Sequence, residues 1–158
     1  MTPIVGVIGA GTVSPAGYEA ARRVGQLLAE AGLVLVCGGL GGVMEAACRG
    51  CQEKGGISLG ILPGASRQAA NPYVSFAVVT DMGHARNVII AQTAQVLIAV
   101  EGEYGTLSEI AVALKLGRPV IALGRWQQVE GVLKASTPEQ AVRQALDCLA
   151  DHPSRQGE

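Results

Sequence analysis

Short apolar runs rich in β-branched residues alternate along this chain with longer stretches whose apolar positions recur every three or four residues. Residues 4–8 (Ile-Val-Gly-Val-Ile) read as a first buried strand. Ser14-Pro15 then supplies an N-cap and a first helical residue. Ala20, Ala21, Val24, Leu27 and Leu28 line one face, and Gly32 stops the helix. The same alternation predicts further strands over 33–37, 58–62, 74–79, 96–100 and 120–123. It predicts helices from Val43 to about Lys54, over 84–94, over 107–116, and from Thr137-Pro138 to about Ala150. A short edge strand is expected within 126–135, and the polar, irregular segment after Pro63-Gly64 to Pro72 is read as a lid or a rim. Strands that are apolar throughout, separated by helices, specify an α/β fold. A doubly wound, mostly parallel sheet of about six or seven strands is covered on both faces, as in Rossmann-like proteins. One domain is expected over 1–151, with 152–158 a frayed tail.

Ligands of such sheets bind beyond the C-terminal strand ends. That rule collects the glycine clusters on one rim: Gly9 and Gly11, then Gly38, Gly39 and Gly42, and finally Gly102 and Gly105 with Thr106. The segment Glu101-Gly102-Glu103-Tyr104-Gly105-Thr106-Leu107-Ser108-Glu109 follows an apolar strand and opens a helical pattern. A strand, a glycine turn and a helix start together aim free backbone N–H groups and the positive helix end at an anion, usually a phosphate. A simple turn needs one or two glycines, so close backbone approach to a ligand is the better account of the run at 38–42.

Other phosphate chemistries fit less well. Gly9-Ala10-Gly11-Thr12-Val13-Ser14 is only G-x-G-x-x-S, and the second strand ends in Cys37-Gly38-Gly39 with no acid for a ribose. The sequence holds no G-x-x-x-x-G-K-[ST] loop, and neither histidine has an obvious Ser or Cys partner, which disfavours triad hydrolysis. Composition narrows the partners. A net charge of −1 gives no broad attraction for nucleic acid or acidic membranes, and one Trp, three Tyr and one Phe leave little for base stacking. No apolar run reaches the ~18 residues of a membrane span, so a cytoplasmic protein is expected. Cys48 and Cys51 form a C-x-x-C late in a helix, without the further ligands that zinc needs. Together with Cys37 and Cys148 they are read as reduced structural thiols, and no metal site is expected. Abundant alanine and a positive mean hydropathy with few aromatics to bury predict self-association through helical faces outside the rim.

Three features remain together: the 38–42 run ending in Val43-Met44-Glu45, the dipeptide Arg86-Asn87, and the 102–109 segment. This constellation resembles the Lonely Guy superfamily, once mislabelled lysine decarboxylases. Its members carry a glycine-rich loop, an Arg-Lys pair near a helix start and a P-G-G-x-G-T-x-x-E motif. The resemblance implies that Arg86 and Glu109 take the places of the residues at the scissile N-glycosidic bond. It implies that Gly102, Gly105 and Thr106 hold phosphate, and that Gly38, Gly39 and Gly42 match the earlier glycines. Asn87 stands where the enzymes have lysine, Glu101 where they have proline, and Glu103 where they have glycine. The form G-E-Y-G-T-L-S-E-I is closer to a subgroup that includes molybdenum cofactor carrier proteins, which bind a phosphorylated pterin without converting it. The resemblance also implies a dimer or tetramer.

Two functions therefore stand side by side. A binding protein would hold a phosphorylated nucleotide-like ligand, molybdenum cofactor among them as cargo, and require no cofactor of its own. An enzyme would hydrolyse nucleoside 5′-monophosphates, with Arg86 and Glu109 catalytic. The departures from the enzyme motif favour the binder. A DNA-handling role is opposed by the charge balance. Plainer readings remain for individual residues: Thr106-x-x-Glu109 also spells a capping box, Arg86 can be a solvated residue at a helix start, and His84 a surface or capping histidine. Trp126 is expected to pack on the sheet edge or against a neighbouring subunit. The carboxylates of Glu101 and Glu103 would repel a dianion unless they turn outward.

Overall fold

The computed structural model describes residues 1–151; the tail expected over 152–158 lies outside the described residues. Seven strands form one sheet: β1 (Ile4–Gly9), β2 (Val34–Cys37), β3 (Ser58–Leu62), β4 (Phe76–Val79), β5 (Val96–Val100), β6 (Val120–Leu123) and β7 (Leu133–Ala135). Five helices connect them: α1 (Pro15–Glu30), α2 (Val43–Glu53), α3 (Arg86–Thr93), α4 (Tyr104–Lys115) and α5 (Pro138–Asp151). The strand order is β4-β3-β2-β1-β5-β6-β7, and every neighbouring pair is parallel. The expected α/β sheet is present, parallel throughout.

Alternation along the strands divides the core in two. Val96, Ile98 and Val100 face α1, α2 and α5, while Leu97 and Ala99 face α3 and α4. The Ser14-Pro15 start holds as expected, with the Ser14 hydroxyl accepting from the Gly17 amide at 3.0 Å. Two starts differ from the sequence reading. A 3-10 turn over Gly83–Ala85 takes the beginning of the expected 84–94 helix, and α4 begins at Tyr104, three residues before the expected 107. The apolar period that reveals a helix starts only where the helix meets the core, so an exposed first turn such as Tyr104-Gly105 carries no such signal. In the 126–135 region, a 3-10 turn over Arg125–Gln128 precedes the edge strand β7.

Helices α1 and α2 approach closely because small residues line the contact. A side chain on Gly25 would overlap the Ala47 carbonyl oxygen, and one on Gly50 would overlap the Arg22 carbonyl oxygen. This contact carries both helices that lead away from the rim loops at 9–14 and 38–42. Gly25→Ala should therefore destabilise the protein by about 1–3 kcal/mol despite alanine's better helix propensity, lowering the melting temperature by roughly 2–10 °C. A thermal melt showing an unchanged or raised midpoint would refute the close contact.

Candidate functional site

The connections reverse direction between β1 and β5, the place where open parallel sheets form a crevice at their C-terminal edge. A cleft of about 410 Å³ lies there. Ile8, Gly9, Ala10, Gly11 and Thr12 line it from the β1 end and following loop, and Gly38 and Met44 from the β2–α2 region. His84, Arg86 and Asn87 contribute from the start of α3, and Glu103, Gly105, Thr106 and Glu109 from α4. Of the expected ligand residues, Gly9, Gly11, Gly38, Arg86, Gly105, Thr106 and Glu109 thus share one cleft. Gly39, Gly42 and Gly102 are not among its lining residues. Gly42 instead fits the chain to itself, since at φ 65° a side chain there would meet the Ala10 carbonyl oxygen. Gly39 also has positive φ and packs beside Leu62, and Gly102 packs against the Thr106 side chain. Sequence reasoning passed over Ala10, Thr12 and Met44, although each sits inside a motif it had marked. Ile8 carried no signal beyond its strand.

Arg86 and Glu109 dominate the chemistry. Arg86 is 8% exposed and Glu109 6%. The Arg86 Nε–H is buried without a hydrogen-bond partner, and none of the ion pairs among the described residues involves Arg86. Gly38 makes room for this side chain, because a Cβ there would overlap the guanidinium. Burial pushes the Glu109 carboxyl up to about 7, partly opposed by the positive charge of Arg86. Burial also lowers the Arg86 pKa, opposed chiefly by the nearby Glu109 carboxylate. The cleft therefore holds a cation that wants an anion and a carboxyl that keeps its proton to neutrality.

The plainer readings of these residues are overturned. Arg86 is a buried residue and not a solvated one. With α4 starting at Tyr104 and Glu103 at its N-cap making no side-chain bond, Thr106 and Glu109 fall at the third and sixth helical positions. They form no capping box; three residues apart on a helix, they share one face, the buried one. The amides of Tyr104, Gly105 and Thr106 belong to the first turn and have no intrahelical acceptor. His84 is exposed yet lines the cleft.

Neither of the two doubtful carboxylates rests on these amides. Glu101 accepts from the Ser14 amide at 3.2 Å and from the Ser14 hydroxyl. Glu103, 78% exposed at its side chain, pairs with Arg125 Nη1 at 3.2 Å. Arg125 lies over the Trp126 ring, 4.7 Å from its centroid. Trp126 is buried within its own chain, and its indole N–H donates to the Glu101 carbonyl at 3.0 Å. Cys37, Cys48 and Cys51 are buried free thiols, with the Cys37 and Cys48 sulfurs 3.5 Å apart. Hydrogen bonding to Cys48 and burial push the Cys37 thiol well up, and burial raises Cys51 to about 11, so neither is a ready nucleophile. Among the described residues no helix is long and apolar enough to cross a membrane, and no cluster of three or more His, Cys, Asp or Glu could hold a metal ion.

Comparison with known proteins agrees with this architecture. The chain is 49% identical over 142 residues to an uncharacterized protein of Archaeoglobus fulgidus, covering 90% of this chain and 93% of that one. The structure of the molybdenum cofactor binding protein from Rippkaea orientalis superposes with a TM-score of 0.90 at 36% identity, covering 94% of this chain and 98% of that one. The molybdenum cofactor carrier protein of Chlamydomonas reinhardtii matches at a TM-score of 0.87 and 32% identity, over 95% of this chain and 99% of that one. These likenesses bear out the resemblance to the Lonely Guy superfamily and its carrier-like subgroup. Since the SLOG cluster4 family model matches residues 2–148, the chain belongs to the SLOG cluster4 family.

Proposed function

We propose that this protein binds a phosphorylated, nucleotide-like ligand in the β1/β5 cleft, and that molybdenum cofactor is its cargo. The observation that carries this reading is Arg86: a buried guanidinium with an orphaned Nε–H in the cleft that the first turn of α4 also lines. A phosphate seated on those amides would supply the charge and acceptors the guanidinium wants. Two relatives whose structures match over nearly their full length are a molybdenum cofactor binding protein and a molybdenum cofactor carrier protein, which supports this ligand. Binding without chemistry also suits Asn87, which stands where the hydrolases of the superfamily have a lysine. The protein is proposed to work in the cytoplasm as a dimer or tetramer. Exposed apolar side chains, Val88 on α3, Leu146 on α5 and Leu116 just past the end of α4, are available for that contact.

Native mass spectrometry of protein purified from cells that make molybdenum cofactor reads both proposals at once. The wild type should carry a phosphorylated pterin and appear at an oligomer mass. Arg86→Ala should weaken ligand binding by about 1.5–3 kcal/mol, or roughly ten- to a hundred-fold, the worth of a hydrogen bond to a charged group. Ligand retained at full occupancy by Arg86→Ala would overturn the site, and a monomer mass would overturn the assembly.

One observation favours the enzyme as a second reading. A carboxyl with a pKa near 7 beside an arginine is suited to proton transfer at neutral pH. In that reaction water adds across the N-glycosidic bond, giving free base and ribose 5-phosphate, and Glu109 in its ionised form would stabilise the cationic sugar or orient the water. The carrier should release no base from AMP, GMP, CMP, UMP or IMP; release that collapses in Glu109→Gln would establish the hydrolase instead. The proton on Glu109 has its own signature. The carboxyl holds it more tightly folded than unfolded, so its stabilising contribution is full below pH 4.5 and is lost as pH rises through about 7. A shift from 4.5 to about 7 corresponds to roughly 3 kcal/mol. Denaturant titrations should show the wild type losing about that much more than Glu109→Gln between pH 4.5 and pH 8. An identical pH dependence in the two proteins would show that Glu109 is not held protonated.

A further inference from the structure

Two helix starts flank the β1/β5 crevice, α1 after the first glycine loop and α4 after β5. In dinucleotide-binding folds the pyrophosphate sits at the start of the helix after β1. Here an anion built into the chain already sits at that position. The Glu101 carboxylate accepts from the Ser14 amide at 3.2 Å and from the Ser14 hydroxyl, and Ser14 is the N-cap of α1. Its placement is enforced from three directions. Glu101 takes φ 52°, a region non-glycine residues rarely enter, and from it the side chain reaches Ser14. Its carbonyl is pinned by the Trp126 indole at 3.0 Å. On the far side, Gly17 lacks the side chain that would collide with the Glu101 carboxylate.

From this arrangement we infer that Glu101 is a specificity-determining residue: its carboxylate takes the α1 hydrogen bonds that a second phosphoryl group would use, so the cleft accepts phosphate monoesters and rejects pyrophosphate-linked ligands. The inference rests on the phosphate reading of the α4 amides and adds what that reading leaves open, the number of phosphoryl groups the ligand carries. A second phosphate entering this side would meet a fixed negative charge where it needs donors, and the Ser14 amide and hydroxyl are already engaged. For a pterin cargo this selects the simple phosphate monoester over a dinucleotide form joined through a pyrophosphate.

Isothermal titration with inorganic phosphate, pyrophosphate, AMP and ADP tests the assignment in the full chain. Glu101→Gly removes the carboxylate and suits the positive φ, so the loop should keep its path. The wild type should bind phosphate and AMP and discriminate against pyrophosphate and ADP. Glu101→Gly should raise the ADP-to-AMP and pyrophosphate-to-phosphate affinity ratios at least ten-fold, with AMP affinity held within about two-fold. Glu101→Gln, which keeps an acceptor for Ser14 but loses the charge, should raise the ratios by a smaller factor and guards against misfolding of the glycine variant. Ratios unchanged in both variants, with AMP still bound by the wild type, would overturn the role of Glu101 alone. A wild type that binds none of the four probes would overturn the α4 phosphate site and the Glu101 assignment together.

Discussion

Taking a guanidinium out of water costs several kcal/mol unless opposite charge and hydrogen bonds answer it, and the arrangement around Arg86 is organised by that requirement. Gly38 has no side chain because the guanidinium occupies the space beside it. Glu109 faces it from α4, buried almost as deeply, without closing a direct ion pair. A closed pair would have satisfied both groups and removed any call for a ligand. The open one leaves an N–H without an acceptor, and buried polar groups in native proteins are nearly always satisfied. The physical argument for a ligand is this mismatch, and the first-turn amides of α4 set its sign: they too ask for an anion.

The neighbouring carboxylates obey the same logic. Two glutamates beside a phosphate loop look self-defeating in one dimension. In space, Glu101 turns to the start of α1 and Glu103 to Arg125, so the loop amides remain without an internal acceptor. Trp126 links the two arrangements, its ring beneath Arg125 and its N–H on the Glu101 carbonyl. A residue expected to cover a sheet edge or a subunit contact is thus buried support for the rim. Departures from the hydrolase motif at these positions are compensated within the chain, which is what a binding protein built from an enzyme-like loop requires.

How much of this was legible beforehand depended on period and on reach. The seven-stranded sheet could be read because each strand is short, apolar and bounded by turn residues, and because Ser14-Pro15 and Gly32 punctuate α1. The location of the site followed from glycine clusters at strand ends. Less visible was what each glycine does: Gly39 and Gly42 shape the loop against the chain itself, whereas Gly38 clears space for an arginine 48 positions later. Contacts of that range leave no local pattern. The start of α4 was hidden for a related reason, since its exposed first turn has no apolar period, and the shift of three residues turned an apparent capping box into two buried residues on one helix face.

The central claim is that the α4 amides and Arg86 together hold a phosphate. Crystals soaked with a phosphate monoester measure this directly. Density for the phosphate should lie within hydrogen-bond reach of the Gly105 and Thr106 amides, with an oxygen turned toward Arg86. Density at the start of α1 or another helix, with the α4 amides and Arg86 untouched, would contradict the account.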